Sequence, residues 1–202
     1  MFIKKILDAL GIPDMMRSFR NVRTISLTAI LIALTIVGNT FTKIPIAMGL
    51  EIRFGFVFFS VIAFLFGPAA AFAAGLIENT LSFFMGGSAF AFDIRYGFNA
   101  GLAGILYSVF LYKKNAGSEY FIIWITAAKI SVNLICNIIV NTYLMRGYLG
   151  SAADVLTIAR LYKNIGMLPI EILIMFFVLK AVSKAAAGYN FIKPGKSGKR
   201  KK

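Results

Sequence analysis

Residues 129–141 read K-I-S-V-N-L-I-C-N-I-I-V-N, which places Lys129, Asn133, Asn137 and Asn141 at every fourth position of an apolar run. On a helix that spacing forms one slowly winding polar stripe. A helix that is apolar everywhere else suits a bilayer, with its stripe turned inward. Ionisable groups at that depth cost about 3 kcal/mol each on insertion scales, so they face a partner or a wet cavity. A second stripe follows in R-L-Y-K-N-I-G-M-L-P-I-E, where Arg160, Lys163, Asn164 and Glu171 interrupt another apolar run. The two stripes are expected to line one polar cavity.

Composition sets the class. The chain has 202 residues, is 59% hydrophobic and has a mean hydropathy of +0.80. Soluble domains are about 45–50% apolar. About six spans of ~20 residues would use most of this length. The expected fold is therefore an all-α integral membrane protein with six transmembrane helices, leaving no room for a soluble catalytic domain. The net charge is +14, but its distribution argues against nucleic acid as the partner. Lysines 180, 184, 193, 196, 199, 201 and 202 cluster with Arg200 at the C-terminus. Lys4, Lys5, Arg17, Arg20 and Arg23 precede the first span. Both ends read as cytoplasmic, which requires an even number of spans. The basic tail reads as a topology signal attracted to anionic lipid.

In chain order, residues 1–23 are expected to form a cytoplasmic amphipathic segment, an interfacial helix ended by Pro13. Residues 24–187 form the six-helix membrane domain, and 188–202 the basic cytoplasmic tail. The first span, Ile25 to Phe41, carries Ala29-x-x-x-Ala33, a spacing that allows close helix approach. Thr42–Arg53 is expected as an external loop, Phe54–Phe66 as a short span, and Gly67-Pro68 as a tight turn. Ala69–Met85 returns, with Glu78 near its middle and Lys129 as one candidate partner. Gly86–Gly97 is a second external loop that mixes aromatics with Asp93 and Arg95. It suits a lid over a flat ligand or, equally, an interfacial aromatic belt. Phe98–Tyr112, Tyr120–Tyr143 and Asn164–Val182 complete the spans, with an external loop expected over Gly147–Leu161. The outer face then carries Lys43, Arg53, Arg95, Arg146, Arg160 and Lys163. Basic groups at the mouth of a polar cavity point to an anionic ligand.

Several chemistries have no support. The chain has no histidine, and Cys136 is its only cysteine, so a Cys/His metal site or an internal disulfide is not expected. Gly195-Lys196-Ser197 resembles the end of a phosphate-binding loop, but Asn190 stands where the first glycine is needed. No catalytic residues are assigned. If ATP drives the protein, another subunit must hydrolyse it.

The chain resembles the substrate-binding S components of energy-coupling factor (ECF) vitamin transporters, in their folate-specific branch. The resemblance rests on Ala29-x-x-x-Ala33, the F-G-F…F-G-P of Phe54–Pro68, and Gly97-Phe98. Its most specific parts are Asn141-Thr142-Tyr143 and the run Arg160–Glu171; it covers about residues 24–182. It implies a vitamin pocket that opens outward, built mainly from the last three helices and lidded by the first and third external loops. It also implies a separate transmembrane coupling subunit, docked on Ala29 and Ala33, and two ATPase subunits. Cofactors are not expected; the ligand would be folate or a relative. Arg53, Arg95, Arg160 and Lys163 are candidates for its carboxylates. Asp93 accompanies them in the loop, and Asn99, Asn133, Asn137, Asn141 and Asn164 are candidates for its ring. The alternatives are an S component for pyridoxine, pantothenate or thiamine, an integral membrane enzyme acting on lipid, or a scaffold.

Overall fold

The structure, a computed structural model, describes residues 22–47, 50–86 and 91–188. The expected interfacial helix and basic tail lie almost wholly outside the described residues. Among these residues the chain forms six helices and one hairpin: α1 (Val22–Thr40), β1 (Ile44–Ala47), β2 (Leu50–Ile52), α2 (Phe56–Phe66), α3 (Pro68–Gly86), α4 (Ile94–Leu111), α5 (Phe121–Leu149) and α6 (Ala152–Gly188).

α1, α5 and α6 are long and apolar enough to cross a membrane. Their exposed side chains, among them Ile30, Val37, Ile123, Ile139 and Phe177, make an apolar outer surface. α2 solves a different problem. Its 11 residues reach only about 16 Å, against about 30 Å of hydrocarbon. Eight of its side chains are buried, including Ile62, Ala63 and Phe64, so other helices surround it. A helix with no polar face is stable here because its neighbours take the place of lipid. The core continues through Leu111, Phe121, Ile125, Met175 and Leu179.

α3 and α4 pack backbone to backbone. A Cβ on Gly104 would stand 2.6 Å from the Ala71 carbonyl oxygen, and one on Gly75 2.7 Å from the Ala100 carbonyl. Only glycine permits this approach.

Three expected boundaries need correction. The first loop is not irregular: β1 and β2 pair antiparallel, with Ile44 opposite Ile52 and Pro45 opposite Glu51. Pro45 fits because a two-stranded ribbon leaves edges that need no donor. The loop before α4 ends at Asp93, not Gly97. The Asp93 carboxylate caps the helix by accepting from the Arg95 N–H at 2.9 Å. The expected loop over Gly147–Leu161 is mostly helix. Gly150 and Ser151 alone join α5 to α6, with Gly150 at φ 57°. Arg146 and Asp154 pair across this turn at 2.8 Å. Charged residues depress the local hydropathy there without breaking the helix.

Candidate functional site

All six helices and the hairpin surround one polar cavity of about 540 Å³, a size usual for small-molecule sites. α5 supplies its spine. Four-residue steps on a regular α-helix drift by about 40° each, so Lys129 and Asn141 would diverge by about 120°. Residues Asn133–Val140 instead form a π-helical stretch, in which the Asn141 N–H bonds the Cys136 carbonyl five residues back. At about 4.4 residues per turn, each four-residue step there drifts the opposite way, by about 30°. The two drifts largely cancel. Lys129, Asn137 and Asn141 consequently all line the cavity. Asn133 is buried just beside it and accepts from Asn137 Nδ2 at 2.9 Å.

α6, packed beside α5, supplies the adjoining wall through Arg160, Lys163, Asn164, Met167 and Glu171. Lys163 marks the mouth: its Nζ donates to the Glu51 carbonyl oxygen of the hairpin at 3.1 Å. Arg160 is buried and donates to the Met145 sulfur. Asn164 is buried too, and among the described residues its Nδ2 has no hydrogen-bond partner. Glu171 lies eleven residues past Arg160, about 16 Å further along the helix.

At that depth the polar groups are paired. Lys129 Nζ stands 3.1 Å from Glu171 Oε2, 3.4 Å from the Tyr107 hydroxyl and 3.8 Å from the centre of the Phe56 ring. The partner of Lys129 is thus Glu171, not Glu78. Glu78 accepts from Asn39 Nδ2 at 2.7 Å and from Ser82 at 2.9 Å, which ties α1 to α3. Both carboxylates line the cavity, as do Asn39 and Tyr107. Asn39 carries little signal in the sequence, being one amide near the end of an apolar span.

The remaining candidates divide. Arg53 lines the mouth and pairs with its hairpin neighbour Glu51 at 2.9 Å. Asp93 lines it too, but its carboxylate is engaged by Arg95 at 2.7 Å and by the Tyr148 hydroxyl at 2.9 Å. The Arg95 hydrogen bonds hold the Asp93 carboxyl down at about 2. Arg95 is not among the lining residues: it faces Asp93. Asn99 is not a lining residue either. Its Nδ2 donates at 3.2 Å to the Cys136 carbonyl, within the π-helical stretch. Its place is behind α5, supporting the spine. Cys136 itself is 2% exposed and packs in the core. Phe83, Phe92 and Tyr96 bring aromatic rings to the mouth, with Phe83 and Phe92 5.2 Å apart in an edge contact. Ala29 and Ala33 lie on the opposite, exposed side of α1, whose Thr28, Leu31 and Thr35 are buried.

Comparison with known proteins agrees with this architecture. The family model described as "ECF-type riboflavin transporter, S component" matches residues 19–184. The folate transporter FolT of Clostridium novyi (strain NT) is 26% identical over 156 residues, spanning 77% of this chain and 87% of that protein. A crystal structure of FolT bound with folic acid superposes with a TM-score of 0.69 at 25% identity, covering 78% of this chain and 93% of that one. These relatives are transporter components, not enzymes. A membrane-embedded helical body around one polar cavity, matched over most of its length, places the chain in the family of S components of ECF-type transporters.

Proposed function

We propose that this chain binds folate and delivers it for uptake, with its ring at the cavity floor and its glutamate carboxylates at the mouth. The carrying observation is the gradient of charge along the cavity. Lys163 and Arg53 stand at the hairpin, and Arg160 is near them on α6. Deeper, Lys129 is neutralised by Glu171. Folate carries its two negative charges at one end, and guanidinium groups can grip carboxylates through paired hydrogen bonds. Asn137 and Asn164 would meet the ligand between these two ends with amide donors and acceptors, Asn141 would do so nearer the mouth, and Asn133 would orient Asn137. Asp93, Arg95 and Asn99 would act through the mouth and the spine. The folate named for both FolT relatives supports the same ligand.

As an S component it would work with a transmembrane coupling subunit and two ATPase subunits. The exposed small residues Ala29 and Ala33 are the proposed docking face. Both termini would be cytoplasmic, from the basic residues at each end.

The family description favours riboflavin as the second reading. Riboflavin is neutral and brings no carboxylate to the mouth cations. Calorimetric titration of stripped protein in detergent separates the two. Folate should bind at nanomolar strength, about −12 kcal/mol, and riboflavin about 100-fold or more weakly. Preference for riboflavin, or no response to folate, would overturn the proposal.

A further inference from the structure

We infer that Glu171 is a specificity-determining residue: its carboxylate accepts from the 2-amino group and ring N3–H of a pterin, beside the Lys129 ammonium. This rests on the folate reading and identifies the part of the ligand that the floor recognises.

Three observations carry it. Glu171 lines the cavity and keeps 14% of its side chain accessible, against 4% for Lys129, so the carboxylate is the more reachable partner. A carboxylate offers about four acceptor directions, and Lys129 takes one. The position is fixed by Lys129, which is itself held by Tyr107 and the Phe56 ring. The floor therefore presents a rigid donor and acceptor side by side in the wall of the cavity.

The chemistry of the two candidate rings differs on the edge that would meet this pair. A pterin shows a 4-oxo acceptor, then an N3–H donor, then a 2-amino donor. Two adjacent donors match a carboxylate, and the oxo group matches an ammonium. The flavin ring shows carbonyl, N–H, carbonyl. Its second carbonyl would face the Glu171 carboxylate with no proton between them. A buried polar group left unmatched in this way penalises the wrong ligand more than a good contact rewards the right one. Of the other carboxylates that line the cavity, Glu51 and Asp93 lie at the mouth, and Glu78 already holds Asn39 and Ser82.

The test compares folic acid with 2-deamino-2-methylfolic acid, which keeps the ring and the glutamate but loses the amino donor. Both are titrated calorimetrically into wild-type protein, E171Q, E78Q and the double variant K129M/E171Q, which removes the cation that E171Q would orphan. Wild type should prefer folic acid by about 30-fold or more. E171Q and the double variant should bring that preference within about threefold. Wild-type binding of both ligands alike would overturn the inference and leave the folate reading standing, and this arm needs no variant to fold. So would loss of the preference in E78Q with its retention in E171Q. Failure of wild type to bind folic acid would overturn both.

Discussion

Lys163 on α6 donates its ammonium to the main-chain oxygen of Glu51, 112 residues earlier, at 3.1 Å. One side chain thus ties the hairpin over the cavity to the wall beneath it. The same ammonium has two further donor protons to offer a ligand. Replacing Lys163 by Met keeps the apolar stem and removes both roles. Ligand dissociation should accelerate by about 10- to 100-fold, the loss of one charge-assisted hydrogen bond. Association should change by less. Stopped-flow release of labelled ligand checks this; an unchanged off-rate would remove Lys163 from the mouth.

Close packing of α3 on α4 makes a stability prediction. Gly104→Ala puts a methyl 2.6 Å from the Ala71 carbonyl oxygen, a contact that backbone must yield to relieve. The cost is about 1–3 kcal/mol. Thermal unfolding in detergent should show a lowered midpoint. Gly147→Ala is the control, since nothing lies within 4 Å of its added carbon.

Asp93 gives a pH dependence with a definite sign. Its carboxyl sits at about 2 in the folded chain, below its ordinary 3.8, because Arg95 donates hydrogen bonds to it. A depressed carboxyl adds stability above its unfolded value, and that contribution fades as pH falls from about 4 through 2. Asp93→Asn keeps a capping side chain but loses the charge. The melting temperature of wild type should exceed that of D93N at pH 5 and above. The difference should shrink steadily as the pH approaches 2. A gap that stays constant would mean the charge contributes nothing.

Substitutions on the proposed docking face of α1 should separate binding from transport. Replacing Ala29 or Ala33 by Trp fills the surface where a neighbouring helix would approach, well away from the cavity-lining Thr35 and Asn39. Ligand affinity of the purified protein should stay within about twofold, the scale of a remote surface change. Uptake by cells carrying the coupling and ATPase subunits should fall by more than about 90%, as expected when a docking surface is blocked. Uptake that survives both substitutions would move the docking face elsewhere.

The two polar stripes could be read from the chain because intramembrane charge is costly, and cost leaves a pattern. Lys129, Asn137, Asn141, Arg160, Lys163 and Asn164 all reach the cavity for that reason. Which charge meets which was not legible. Glu78 and Glu171 are equal as carboxylates in apolar helices, and only the packing of α5 on α6 brings Glu171 to Lys129. The π-helical stretch was not legible either: the four-residue spacing of Asn133 and Asn137 reads equally as a winding stripe on a regular helix, and the wider turn shows only in hydrogen bonding. Arg95 and Asn99 illustrate a third gap. Their place in the sequence put them at the mouth, while local bonds to Asp93 and to the Cys136 carbonyl turn them to other work.

The two-residue link between α5 and α6 constrains how a ligand gets in and out. With only Gly150 and Ser151 between them, and Arg146 clasping Asp154 across the turn, these helices have no slack with which to part at that end. They behave as the fixed jamb of a doorway. Against that jamb the hairpin between α1 and α2 is held by one side chain, through the Lys163–Glu51 bond.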